Sequence, residues 1–349
     1  MRATVIHGER DIRLEQVADP VIHRPTDAIV KVTATCVCGS DLWPYRGIQQ
    51  TKEPHPIGHE FIGTVAEVGS EVTTLKVGDF VITPFACSDG TCANCLNGVQ
   101  TSCLHGAWFG SKDAFGDAMN GAQGEYVRVP VADGTLVVTP EAPTDDQVAS
   151  FLALTDVMGT GHHAAVSARV GKGSSVVVVG DGAVGLCAVL AARRLGAERI
   201  IAMSRNPDRQ ALATEFGATD IVAERGEEGV AKVRDLLDGI GADAVLEAVG
   251  TRQSMQQALA TTRPGGFVGY VGVPSGGPEL PLGQMFGDNL NVAGGVASVR
   301  SYIPELLTDV LSGAIDPGRV FDRRLPLDEV AEAYLGMDER RSIKTMLLP

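Results

Sequence analysis

Val176-Val177-Val178-Val179-Gly180-Asp181-Gly182-Ala183-Val184-Gly185 runs from an unbroken apolar tetrad into a Gly-x-Gly-x-x-Gly motif, and a helical pattern, Ala183 to Leu195, follows. A strand, a glycine-rich turn and a helix in that order are what a dinucleotide's pyrophosphate needs: the glycines let backbone approach it, and the helix N-terminus supplies N–H donors. Working outward, apolar runs recur at Arg199-Ile200-Ile201-Ala202-Met203, Asp220-Ile221-Val222, Ala244-Val245-Leu246-Glu247-Ala248, Phe267-Val268-Gly269-Tyr270-Val271 and Leu290-Asn291-Val292-Ala293. Such strands are covered on both faces, and helical segments separate most of them, so the stretch predicts a doubly wound α/β unit with a parallel sheet. Gly276, Gly277 and Pro278 mark a loop within it.

NAD sites place an Asp or Glu on the ribose hydroxyls about twenty residues past the motif. Here the second strand ends Met203-Ser204-Arg205-Asn206, without a carboxylate. Ser204 can donate to a 2′-phosphate and Arg205 can pair with it, with Arg209 one helical turn on, so NADP(H) is the expected cofactor in preference to NAD(H). Gly180, Gly182, Ala183, Val184 and Gly185 would hold the pyrophosphate. The other strand ends, Ala248-Val249-Gly250, Val271-Gly272-Val273 and Gly295-Val296, are expected to flank the nucleotide, and Thr160 to face the nicotinamide.

The first 149 residues read differently. Ala28-Ile29-Val30-Lys31-Val32-Thr33-Ala34-Thr35 and Phe61-Ile62-Gly63-Thr64-Val65-Ala66-Glu67-Val68-Gly69 alternate apolar and polar residues between turn signals, which predicts a mostly antiparallel β region. After Gly295 a helix near Tyr302 to Ser312 and a short β-like tail are too little for a third domain and are expected to rejoin the first. The chain of 349 residues sums to −14, from 29 Lys+Arg against 43 Asp+Glu, which disfavours nucleic acid and anionic membranes as partners. With no signal peptide and no transmembrane run, a cytoplasmic protein is expected. Six of the seven cysteines lie within the first 103 residues, clustering that argues for metal or catalysis before disulfides. Cys36 and Cys187, on apolar faces, read as buried small hydrophobes, while His162, His163 and His55 read as packing and loop-shaping residues.

Cys38-Gly39-Ser40-Asp41, Gly58-His59-Glu60 and Thr155-Asp156-Val157-Met158-Gly159-Thr160-Gly161, together with the glycine motif, resemble the zinc-dependent medium-chain alcohol dehydrogenases over essentially the full length. The resemblance implies a GroES-like catalytic domain over 1–155, completed by 297–349, and a Rossmann domain over 156–296, with a catalytic zinc in the cleft between them. It implies Cys38, His59 and Asp156 as that zinc's ligands, Asp156 standing where most of the family has a second cysteine. Three donors of S, N and O type with one open position suit catalytic zinc, and one thiolate and one carboxylate neutralise it. Glu60 and Asp41 are expected beside this set, Asp41 orienting the His59 ring.

The family's structural zinc lobe has four cysteines. Here Cys92, Cys95 and Cys103 match three of them and Asp89 occupies the first place, so a structural zinc held by Asp89, Cys92, Cys95 and Cys103 is expected, with Cys87 swinging in or a metal-free lobe as the alternatives. By family position Ser40 moves the hydroxyl proton. Trp43 stands where many members carry a relay histidine, and its two readings are a wall of the pocket and a core-packing side chain. Phe85 has a positional argument for lining the substrate site, with Trp108, Phe109, Phe115 or Met285 as further contributors.

The expected activity is hydride transfer between a small alcohol or carbonyl compound and NADP(H). Alternatives are a polyol, threonine or formaldehyde dehydrogenase using NAD, a zinc-free quinone or enone reductase, and a non-catalytic nucleotide-binding redox sensor. A homodimer or homotetramer is expected by family analogy.

Overall fold

A computed structural model describes residues 1–274 and 280–349, so the loop read at Gly276, Gly277 and Pro278 lies outside the described residues. The chain forms two compact units, one of Met1–Asp156 with Ser298–Pro349 and one of Val157–Ala297.

In the second unit the described residues form a six-stranded sheet in the order Asp220–Val222, Arg199–Met203, Ser175–Val179, Ala242–Glu247, Thr262–Tyr270, Asn291–Gly294. Every adjacent pair is parallel. Numbered along the chain this is 3-2-1-4-5-6, the doubly wound order whose topological switch falls beside the glycine motif. Val176, Val177 and Val178 are fully buried, as their unbroken apolar run requires. Local chemistry sets the helix starts. Asn206 caps Pro207–Phe216 by accepting from the N–H groups of Asp208 and Arg209, and Thr251 and Ser254 form a capping box on Arg252–Thr261. The fifth strand begins at Thr262, before the apolar run at Phe267 that announces it, because Thr262 pairs with Ala242 ahead of a register shift.

The first unit is built on a sheet in the order Val137–Val138, Phe80–Thr83, Phe61–Val68, Ala28–Cys36, Lys344–Leu348, Phe321–Pro326, with Tyr126–Val129 also paired to Ala28–Cys36. Its pairings are antiparallel apart from that between the last two strands. The C-terminal tail contributes more than a short β segment: its two strands enclose a helix, Val330–Asp338. Val330, Ala333, Tyr334 and Met337 follow helical spacing and bury against Ile6, Val37, Leu42 and Tyr45.

The central strand Ala28–Cys36 decides where chemistry gathers. It pairs Thr35 with Phe61 on one side and Cys36 with Met346 on the other. Continuing those registers sets Glu60 opposite Cys36 and Lys344 opposite Cys38. Residues about 20 and about 300 positions apart in sequence therefore meet at one sheet end.

Candidate active site

At that sheet end, donor atoms of Cys38, His59, Glu60 and Asp156 all lie within 4.8 Å of one another. Cys38 Sγ is 3.8 Å from Asp156 Oδ2, and His59 Nε2 is 3.5 Å from the same oxygen. Asp156 follows the short helix Val148–Ala153, and the chain there is pinned by the Phe85 N–H donating to the Thr155 carbonyl at 3.2 Å.

The ring of His59 is oriented from behind. Its Nδ1 lies 3.4 Å from Asp41 Oδ1, leaving Nε2 directed at the cluster. Asp41 is itself fixed, because its Oδ2 accepts from the Cys38 N–H at 2.9 Å and from Gln123 Nε2 at 3.1 Å. Gln123 in turn accepts from the Tyr334 hydroxyl at 3.1 Å. Burial works against a charged His59, but Asp41, Cys38 and Asp156 outweigh it and hold the imidazole well above its ordinary value. Burial pushes the Cys38 thiol up, with His59 opposing.

Glu60 is fully buried and so is Lys344, whose Nζ donates to Glu60 Oε1 at 2.7 Å and to the Val37 carbonyl at 3.2 Å. Sequence reasoning missed Lys344, Gln123 and Tyr334. The signal for Lys344 is a lone cation inside the apolar strand Lys344-Thr345-Met346-Leu347-Leu348. Gln123 and Tyr334 carry none, since only the tertiary fold brings them to Asp41.

Beside the cluster stands an aromatic wall. Phe85 lies edge-on to His59 with centroids 6.3 Å apart, and Trp108 stacks on Phe85 at 5.7 Å. Phe109 does not join them: it is buried edge-on against Phe61 in the core. Phe115 sits under the Arg24 guanidinium instead, and Met285 packs on the core of the nucleotide sheet. Ser40 is exposed two residues from Cys38, and Trp43 is half-buried in the short helix Leu42–Tyr45.

A second cluster brings Asp89, Cys92, Cys95 and Cys103 within the same 4.8 Å limit. Cys92 Sγ lies 3.4 Å from Cys95 Sγ and 3.8 Å from Cys103 Sγ. Backbone N–H groups of Leu104 and Cys95 bring the Cys92 thiol down to about 7, as expected of a sulfur poised for metal. Asp89 is fixed by the N–H groups of Thr91 and Cys92 and by His105 Nδ1 at 2.5 Å. Cys87 stays out of this cluster. It is buried in the core of the unit, and burial drives its thiol far up.

In the nucleotide-type unit, Gly180 has φ +125° and a Cβ on Gly185 would meet the Gly180 carbonyl oxygen at 2.0 Å, so turn and helix touch. Nothing lies within 4 Å of where a Cβ on Gly182 would be, which leaves the open space a pyrophosphate needs at the N-cap of Ala183–Arg194. The loop Ala248-Val249-Gly250 closes over Gly180, with the Ala248 N–H donating to the Val179 carbonyl at 3.0 Å. Thr160 is half-buried on the helix Val157–Ser167, and Val249, Val273 and Val296 are exposed at strand ends. Of the three groups read for a 2′-phosphate, only Arg205 is exposed. Ser204 and Arg209 are buried and turned toward Asp181.

Residues 24–141 match the alcohol dehydrogenase GroES-like domain, and residues 183–312 match the zinc-binding dehydrogenase family. A probable zinc-binding alcohol dehydrogenase of Mycobacterium tuberculosis is 38% identical, over 96% of this chain and 84% of its own length. The chain belongs to the zinc-dependent alcohol dehydrogenase family. Within that family, zinc-type alcohol dehydrogenase B of Aspergillus flavus is 35% identical, over 96% of this chain and 78% of its own. The structure of alcohol dehydrogenase from Thermus sp. ATN1 superposes with TM-score 0.91 at 34% identity, covering 100% of this chain and 99% of that one. The protein is thus an oxidoreductase with the GroES-like and doubly wound architecture expected from its sequence. Among the described residues no helix is long and apolar enough to cross a membrane.

Proposed function

We propose that the protein is an alcohol dehydrogenase or aldehyde reductase that moves a hydride between a small alcohol or carbonyl compound and NADP(H). The observation behind this reading is the donor set of Cys38, His59 and Asp156 gathered within 4.8 Å beside an aromatic wall. One sulfur, one nitrogen and one oxygen donor fit a catalytic zinc with a position left for substrate. Zinc held there supplies Lewis acidity toward the substrate oxygen, and the nicotinamide supplies the hydride acceptor or donor.

The residues do the rest. Asp41 holds His59 with Nε2 free to ligate, and the Cys38 N–H and Gln123 hold Asp41. Ser40 Oγ, as a hydroxyl that both donates and accepts, takes the alcohol proton or returns it. With Trp43 in the relay position, that proton leaves through water. Phe85 and Trp108 orient an alkyl or aryl group and keep water from its carbon. Asp89, Cys92, Cys95 and Cys103 hold a second, structural zinc. NADP(H) is favoured because the second strand ends without a carboxylate and with Arg205 exposed. The assembly is a homodimer or homotetramer, for which the exposed edge strand Asn291–Gly294 is a ready pairing edge.

The test is a screen of alcohols and aldehydes by NADPH and NADH absorbance on metal-quantified protein. Turnover that needs zinc and has the higher kcat/KM with NADPH supports the reading. Full activity in zinc-free protein, or a clear NADH preference, refutes the corresponding part.

A further inference from the structure

We propose that Asp181, the second residue of the Gly-x-Gly-x-x-Gly motif, is a specificity-determining residue that limits how far the protein favours NADP(H) over NAD(H). The inference rests on the dinucleotide site proposed above and concerns residues of the nucleotide-type unit alone.

The first and second strands pair in parallel with Val179 opposite Met203, so Gly180-Asp181 and Ser204-Arg205 leave the sheet side by side. Asp181 is buried at 6% exposure, and its Oδ2 accepts from Ser204 Oγ at 2.9 Å. Arg209, also 6% exposed, donates from Nη1 to the Asp181 carbonyl at 2.9 Å, and the same nitrogen is 3.6 Å from Asp181 Oδ1. The carboxylate missing from the end of the second strand therefore stands one loop away. It engages two of the three side chains that would otherwise recognise a 2′-phosphate.

The chemistry has a definite sign. A 2′-phosphate is a dianion that needs donors and positive charge, whereas a ribose 2′-hydroxyl is well served by a carboxylate acceptor. Asp181 directs the Ser204 proton onto itself and cancels the Arg209 charge, leaving Arg205 as the cation offered to the phosphate. Removing the Asp181 charge while keeping its shape removes a repulsion and leaves the Arg209 charge uncancelled, although Arg209 keeps its bond to the backbone carbonyl at 181, and an amide that donates to Ser204 Oγ lets that hydroxyl turn its proton outward.

The adenosine end is read without catalysis by titrating 2′,5′-ADP and 5′-AMP calorimetrically into the metal-loaded protein. In Asp181→Asn, the preference for 2′,5′-ADP over 5′-AMP is expected to rise about tenfold, the scale of one unit charge removed near a partly solvated anion. Ser204→Ala alone should change that preference less than about twofold, because its proton is already committed. In the Asp181→Asn background it should take back part of the gain, a coupling that a purely structural role would not produce. An unchanged or reduced preference in Asp181→Asn overturns the proposal. Asp181→Ser is the second variant should Asn disturb the loop, and loss of 5′-AMP binding in both makes Asp181 structural and overturns it equally. If the unaltered protein binds neither ligand, the dinucleotide reading itself has failed.

Discussion

Lys344→Met tests the part of the metal centre that sequence reasoning did not reach. Lys344 and Glu60 have side chains 1% and 0% exposed, and their charged atoms are 2.7 Å apart. Removing the ammonium leaves the Glu60 carboxylate in a dry site with a weak 3.5 Å contact to Thr155 Oγ1, and with Cys38 and Asp156 as anionic neighbours. Breaking one side of such a buried pair costs about 3–5 kcal/mol, which for a unit of this size lowers Tm by roughly 6–20 °C. The double variant Glu60→Gln with Lys344→Met removes both charges, keeps similar volume, and should recover most of that loss. Thermal and urea unfolding of the zinc-loaded single and double variants measures both numbers. A Tm drop below about 2 °C for Lys344→Met, or a double variant no more stable than the single, would refute the argument that the pair is held together by mutual charge compensation.

The native protein should contain two zincs per chain by elemental analysis and lose one on Cys95→Ala; one zinc in the native protein defeats the structural site. The imidazole of His59 is held above its ordinary value, so in zinc-free protein its stabilisation is complete below about pH 6.5 and fades as pH rises through the raised value. Zinc requires the neutral ring and the Cys38 thiolate, so the Tm difference between zinc-loaded and chelator-stripped protein should be larger at about pH 8 than at about pH 6, and the reverse order would contradict this ligand set. Phe85→Ala should raise KM for a benzylic alcohol about tenfold relative to ethanol, and Trp108→Ala less, because the indole is 44% exposed; equal effects on both alcohols would remove Phe85 from the pocket.

How much of this was legible in the sequence follows from the range of the interactions. The nucleotide-type sheet was readable because each strand is an apolar run and each turn has its own glycine or cap, all of it local chemistry. Asp181 sat inside the most informative motif, yet its effect was not readable, since a carboxylate at that position touches Ser204 and Arg209 only through the pairing of the first two strands. Ser204 and Arg209 were therefore read as free donors when both face that carboxylate. The helix Val330–Asp338 did leave a signal, the spacing of Val330, Ala333, Tyr334 and Met337, masked by the strands on either side. Spacing already placed Asp89 beside Cys92, Cys95 and Cys103, but that Cys87 stays apart from them depended on its burial in the core, which spacing does not report.

The chain's net charge of −14 raises a question that the geometry answers locally. A divalent cation held by Cys38 and Asp156 would be fully neutralised by them, so the Glu60 carboxylate beside them would leave the site with a surplus negative charge. Lys344 cancels that charge from the opposite end of the sequence, through the register that sets it across from Cys38. A neutral total matters for the proposed chemistry, because surplus negative charge around the metal would weaken its pull on a substrate oxygen and oppose loss of the alcohol proton. On the proposed mechanism the lysine would serve the electrostatics of the reaction as well as the stability of the fold. The pH profile of Glu60→Gln reads the electrostatic role: the variant retains an acceptor for Lys344 while removing one negative charge beside the metal ligands, so it should lower the pH at which alcohol oxidation reaches half its maximum. An unmoved pH profile in that variant would confine the Lys344 and Glu60 pair to stability.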